Sequence, residues 1–341
     1  MEKGTPTPLT TPLRCIVKLG GAAITCKNEL EKINEENLRA VSIHLREAMM
    51  SGEVVDMDWS KRPGKADVSV NVDGISDQIT MESSNFVVVH GAGSFGHFQA
   101  SKSRVHKGGL DQSLVKAGFV ATRISVASLN LEIVRALARE GIPSVGISPF
   151  SGGWTTFQRN VASADVTTVA KTIDSGFIPV LHGDAVLDHS QGCTILSGDV
   201  IIRHIAEILK PEYVVFLLAV HKSFPIQSFI KTDVFGVYDR PPSEPDAMLL
   251  KEIAVDEEGS WRVVNPAPKS INEQVEITVA AHDTTGGMVT KISEAAAIAK
   301  LGIDVYIVKA ATDHSLKALK GEVKGKIPDD WMGTAIRFMR K

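Results

Sequence analysis

The chain has 341 residues, 43% hydrophobic and 23% charged, with 28 glycines and a net charge of −3. Such a composition belongs to a globular protein with a sizeable core, in one large domain or in two lobes sharing a sheet, and excludes disordered and fibrous classes. The weak net charge offers no basic field to a polyanion, so nucleic acid is not an expected partner, and three scattered cysteines (Cys15, Cys26, Cys193) form neither a disulfide framework nor a zinc site and fit a reducing compartment.

Residues 1–12, rich in Thr and Pro, read as a loose tail. They show neither a signal-peptide core nor a transit pattern, and no apolar run is expected to reach membrane-spanning length, so the expected location is the cytosol. Short β-branched runs that end in glycine then follow one another: RCIVKLGG (14–21), FVVVHGAG (86–93), IPSVGISPF (142–150), FIPVLHGD (177–184), YVVFLL (213–218) and GIDVYIVKA (302–310). Helical stretches at 115–141, 198–211 and 290–302 separate several of them. Strand, glycine corner, helix is the rhythm of a parallel sheet with helices on both faces. Residues 52–84 are polar and aperiodic and predict a surface loop.

The glycine corners carry the chemistry. In KLGGAAIT (18–25), Gly20 and Gly21 can bring backbone N–H groups to a phosphate while Lys18 supplies a point charge; a turn glycine pair beside a surface lysine explains the string as well. HGAGSFGHF (90–98) is more specific. Ala92, Gly93 and Ser94 let the backbone approach an anion, and His97 at the far end of the loop can donate to an oxyanion, against the alternative of a packing loop with a solvated histidine. This string also satisfies GxGxxG, yet the following SKSRVHKGGLDQS lacks the second strand and acidic end that dinucleotide binding requires. HGDAVLD (182–188) and LSGDVIIRH (196–204) add two glycine–aspartate corners. Asp199 there either caps a helix or acts in a site. TTGGMVTKI (284–292) opens a helix with Lys291 about one turn inside it. GxxxxGK[ST] and the protein-kinase motifs do not occur, so phosphoryl transfer here would need another scaffold.

These motifs, together with TDVFGVYD (232–239), occur in the order that is similar to the amino acid kinase superfamily, and GSFGH resembles its isopentenyl phosphate kinase branch. The resemblance implies an open three-layer αβα sandwich with a mainly parallel central sheet, a homodimer, and transfer of the ATP γ-phosphoryl group to isopentenyl phosphate in an alternative mevalonate route. It implies an acceptor lobe over 13–194 and a nucleotide lobe over 195–341. Carried over by motif, Lys18 and Lys27 stand near the transferring phosphoryl group, with Gly20, Gly21 and Ala22 along ATP oxygens. Ala92, Gly93 and Gly183 touch the phosphates, and His97 holds the acceptor phosphate. Asp199 orients the lysines, and Asp233, Gly287 and Lys291 serve the nucleotide. Mg²⁺ is expected to be held mainly by ATP phosphates. An acceptor phosphate is already ionised, so His97 is assigned to charge stabilisation and not to proton abstraction.

One departure stands out. About fourteen extra residues (218–231) separate the VVFL strand from TDVFGVYD, and their apolar Phe224, Ile226, Phe229 and Ile230 favour a retained intron over a surface excursion or a modifier of the nucleotide pocket. Other readings are a kinase of the same fold acting on fosfomycin, acetylglutamate or a nucleoside monophosphate, with Arg123 available to a carboxylate, and a catalytically silent nucleotide-binding regulator.

Overall fold

The computed structural model describes residues 9–26, 28–52, 54–60, 85–219, 234–242, 244, 246–266 and 287–339. In chain order, β1 (Cys15–Leu19) turns into the one-turn α1 (Gly21–Ile24), and α2 (Glu35–Met49) follows, its start capped by the Asn34 side chain. Next come β2 (Phe86–His90), α3 (Gly93–Ser103), a 3-10 turn over Val105–Lys107, the long α4 (Ser113–Arg139) and β3 (Ser144–Ile147). A smaller group follows: β4 (Thr155–Phe157), β5 (Asn160–Ser163), α5 (Thr167–Asp174), β6 (Ile178–His182), β7 (Asp184–Asp188) and β8 (Gly192–Leu196). The remainder comprises α6 (Gly198–Leu209), β9 (Tyr213–Leu218), β10 (Glu252–Val255), β11 (Trp261–Asn265), α7 (Gly287–Ala299), β12 (Asp304–Lys309), α8 (Asp313–Leu319) and β13 (Thr334–Phe338).

A nine-stranded sheet in the order β11-β10-β13-β12-β9-β1-β2-β6-β3 forms the middle layer, parallel from β12 to β3 and antiparallel only at the pairs β12–β13 and β10–β11. Alternate strand residues feed two cores. Ile16, Val87, Val214 and Val305 meet α5, α6 and α7 on one face, whereas Val17, Val88, Val215 and Tyr306 meet α2, α4 and α8 on the other. Both faces are therefore covered, which is why the central strands read as unbroken apolar runs. The expected three-layer αβα sandwich is what forms. A four-stranded sheet, β5-β4-β7-β8, is added beside the β6 end, and the sequence reading did not anticipate it.

Three expectations need correction. The stretch 9–12 is not loose: Thr10 donates its backbone N–H to Asp174 at 3.0 Å, Asn85 donates to the Thr11 and Pro12 carbonyls, and Leu13 beyond it is buried. α4 is long and apolar enough to cross a membrane by length and composition, although none was expected. Here its Leu129, Ile133 and Leu137 pack instead onto the sheet strands. Of the expected 52–84 loop, residues 54–60 lie along the end of α4, where Met57 N–H meets the Ala138 carbonyl and Asp58 pairs with Arg139 at 2.7 Å; 61–84 lie outside the described residues. Residues 220–233, and with them most of the unusual insertion, also lie outside them.

Candidate active site

Register decides where the glycine corners sit. Leu217, Leu19, His90 and His182 form one row across β9, β1, β2 and β6. Gly20, Gly91 and Gly183 are the next residues of their strands and therefore share the next row, about 4.8 Å apart strand to strand. Each extends the ladder with its own N–H: Gly20 to the Leu217 carbonyl at 3.0 Å, Gly91 to Leu19 at 3.0 Å and Gly183 to His90 at 2.9 Å. Three corners remote in sequence thus become one ridge at the carboxyl ends of parallel strands, where open α/β sheets bind ligands.

The turns that follow the first two corners are too tight for side chains. A Cβ on Gly21 would lie 2.4 Å from the Gly93 backbone nitrogen, and one on Gly93, whose φ is +51°, would lie 2.4 Å from Thr25 Oγ1. Thr25 ties the two loops together, donating to the Gly21 carbonyl at 2.9 Å and accepting the Ser94 N–H at 3.1 Å. Neither α1 nor α3 has a capping side chain, and neither has an acidic residue in its first turn. Helix starts of that kind leave N–H dipoles for an anion. A cradle open only to backbone fits the phosphates of a nucleotide and of a phosphorylated acceptor.

Lys18, two rows below the corners, points to the α6 face, and its ammonium makes an ion pair with Asp199, both side chains being only 7% exposed. Asp199 is therefore not the helix cap. Ser197 fills that place, its hydroxyl accepting the Asp199 N–H at 3.2 Å. A Cβ on Gly198 would meet Lys18 Cε at 3.5 Å and the His90 carbonyl at 3.3 Å, which places the fourth corner against the same lysine. Gly183 in turn lies beside Gly198 and Ala92.

The structure thus brings together Lys18, Gly20, Gly21, Ala92, Gly93, Gly183 and Asp199. His97 stands exposed on the second turn of α3, one turn further than the loop end expected of it. Ala22 is exposed on α1, and Gly287 opens α7 with Lys291 one turn inside, on the α6 and α7 side. Lys27 and Asp233 lie outside the described residues. On α4, Phe119 packs against the cluster of Val115 and Ala185, whereas Ile124 is 63% exposed. Five residues at 100° each set the two about 140° apart on the helix. Sequence reasoning left Thr25 without a role and passed over His90 and His182; the repeated HG dipeptide at two strand ends was the signal for those histidines.

Residues 13–222 and 227–309 match the amino acid kinase family model. The chain belongs to the amino acid kinase family. Within that family it is 68% identical to the isopentenyl phosphate kinase of Arabidopsis thaliana over 334 residues, 96% of each chain. It is 32% identical to that of Methanothermobacter thermautotrophicus, over 80% of this chain and 94% of the relative. A solved isopentenyl phosphate kinase superposes with a TM-score of 0.64 at 27% identity, covering 95% of this chain and 99% of the other. Carbamate kinase from Giardia lamblia shares the fold at a TM-score of 0.53 and 13% identity.

Proposed function

We propose that this amino acid kinase transfers the γ-phosphoryl group of ATP to isopentenyl phosphate, giving isopentenyl diphosphate. The observation that carries the reading is the buried Lys18–Asp199 pair beneath the Gly20, Gly91 and Gly183 corners, beside the uncapped starts of α1 and α3, whose backbone N–H groups are left for anions. Two anions must approach in line there, so charge neutralisation and positioning supply the catalysis. Lys18 meets the transferring group, and Asp199 holds its ammonium in place. Gly20, Gly21, Ala22 and Gly93 line the donor oxygens, Ala92 and Gly183 the acceptor side, and His97 donates to the acceptor phosphate. Lys27, Asp233, Gly287 and Lys291 complete the nucleotide side; on this reading the lobe over 13–194 binds the acceptor while its N-terminal glycine corner and lysines reach the donor phosphates, and the lobe over 195–341 holds the nucleotide. Among the described residues no group of three or more His, Cys, Asp or Glu side chains gathers to hold a metal, and Mg²⁺ on this reading takes its ligands chiefly from the nucleotide phosphates.

Two features favour a prenyl acceptor over a small acid. Ala185, two residues beyond the Gly183 corner, lies in an apolar cluster with Val105, Val115, Cys193 and Phe119. Arg123, the residue a carboxylate acceptor would need, is turned to Asp184 of the same chain at 3.7 Å and stacked over Phe150 at 4.2 Å. We further assign a homodimer to the face of α4 on which Val120, Ile124 and Leu131 lie within 40° of one another and remain about half exposed, beside the edge strand β3. A cytosolic location accords with the three free cysteines.

The test measures ADP release with isopentenyl phosphate, fosfomycin, acetylglutamate and a nucleoside monophosphate. Isopentenyl phosphate is expected to give the highest kcat/KM. A higher value for another acceptor replaces the substrate, and ATP binding without turnover on any of them points to a silent regulator.

A further inference from the structure

His90 and His182 end neighbouring strands in register, are 0% and 1% exposed, and stack with ring centroids 5.7 Å apart. Each is followed by a corner glycine whose carbonyl faces its own ring: His90 Nδ1 lies 3.0 Å from the Gly91 oxygen and His182 Nδ1 3.1 Å from the Gly183 oxygen. A carbonyl only accepts, so each Nδ1 carries the hydrogen. At His90 a second contact reaches the same answer independently. The Asn130 amide, which donates to the Val180 carbonyl at 3.1 Å, places its nitrogen 3.1 Å from His90 Nε2. An amide nitrogen can only donate, so Nε2 accepts and the proton of a neutral ring resides on Nδ1.

We infer that His90 and His182 are positioning residues that hold the Gly91 and Gly183 carbonyls by Nδ1–H donation and thereby aim the acceptor-side peptides. Across a trans peptide the C=O and N–H point in opposite directions. Fixing the Gly91 oxygen against the His90 ring therefore turns the Ala92 N–H away from the sheet, toward the ridge. The same contact at Gly183 sets the plane of the Gly183–Asp184 peptide, which abuts Ala92. Further along, the Asp184 carboxylate accepts from the Ser148 hydroxyl at 3.0 Å and the Phe150 N–H at 3.2 Å and faces Arg123. The polar layer under the acceptor corners is thus continuous from Asn130 on α4 to the loop after β3. Burial, with the neighbouring His182, lowers the His90 pKa to about 3, so the ring stays neutral while it does this.

The inference rests on the corners' being the phosphate cradle. Nitrogen-15 NMR of the histidine rings in the native protein reads the tautomer directly, and Nδ1–H at both rings is expected; Nε2–H at His90 overturns the inference. Kinetics supply the second test, because an asparagine amide superposes on Nδ1 whereas a glutamine amide reaches only Nε2. His90→Asn is expected to keep kcat/KM for isopentenyl phosphate within about five-fold, and His90→Gln to lose about fifty-fold with KM for ATP unchanged. Equal losses in the two variants, tracking their melting temperatures, reduce His90 to a packing residue and also overturn it. If Lys18→Met retains turnover, the cradle itself is misplaced, a failure distinct from these.

Discussion

The two ends of the site are built differently. Under the acceptor corners the polar groups are committed to one another: His90 to Gly91 and Asn130, His182 to Gly183, Asp184 to Ser148 and Phe150. At the carboxyl end of β12, by contrast, Phe235, Lys309, Thr312 and His314 border a cavity of about 480 Å³. Lys309 pairs in register with Leu218, and so lies in the row of Gly20 two strands away, about 10 Å across the sheet. On the proposed reading, in-line transfer tolerates little error where bonds form, so the groups under the acceptor corners are held by one another before substrate arrives, whereas the nucleotide's remote parts need no such rigidity. Lys18 and the Gly21–Gly93 contact join the two regimes, and substitutions there should cost most.

Lys18→Met should lower kcat about a thousand-fold or more, because on the proposed reading it removes the cation that meets the transferring group. It should also destabilise the fold by about 3–5 kcal/mol, since Asp199 remains buried and unpaired. Adding Asp199→Leu should recover most of the melting temperature without recovering turnover. A double variant that regains activity would reduce the pair to a structural one. Next in size is Gly21→Ala. Its methyl group would meet the Gly93 backbone at 2.4 Å, and backbone cannot yield as a side chain does. The corners must separate, at an expected loss of about a hundred-fold in kcat, as for one lost oxyanion donor; unchanged kcat in a steady-state assay would show that the contact is dispensable. His97→Gln should be smaller, roughly ten- to a hundred-fold in kcat. Because the side chain is exposed, the melting temperature and KM for ATP should not move. A parallel drop in ATP affinity would shift His97 to the nucleotide side.

How much of this was legible follows from range. Corners announced by a β-branched run and a glycine, such as KLGG and HGAG, are legible because strand, turn and helix entry are local events; HGD shows its turn equally, although it leads into β7 and not into a helix. That Gly20, Gly91 and Gly183 share a row depends on strand register, which no single segment encodes. Thr25 was hidden because its bonds to Gly21 and Ser94 join loops 69 residues apart. For Asp199 the local sequence leaves a helix cap and a site role equally open, because a carboxylate at a helix start suits both, and the tertiary approach of Lys18, with Ser197 taking the cap, decides against the cap. The β4–β5 and β7–β8 hairpins escaped because their strands are short and their faces mixed, as in the exposed Asn160–Ser163.

The smallest predicted effect separates the two sides by stability alone. His90 titrates at about 3 when folded, lowered by burial and by the adjacent His182, against about 6.5 in the unfolded chain. Between those values the unfolded chain holds a proton that the folded one refuses, so stability rises with pH across the window. It is fully present above about 6.5 and is lost as pH falls, at up to about 1.4 kcal/mol per pH unit for one such ring. His182 is shifted in the same direction, by burial opposed by Asp184, and steepens the slope. The nucleotide side supplies a control in His314, whose pKa burial also lowers, although that ring borders the cavity. Urea unfolding at pH 7, 6 and 5 should therefore show a slope reduced by nearly one proton in His90→Asn and by less in His314→Asn. Equal slopes in wild type and His90→Asn would mean that the His90 ring reaches water and its proton in the folded enzyme, and the contrast between a sealed acceptor side and an open nucleotide side would fail.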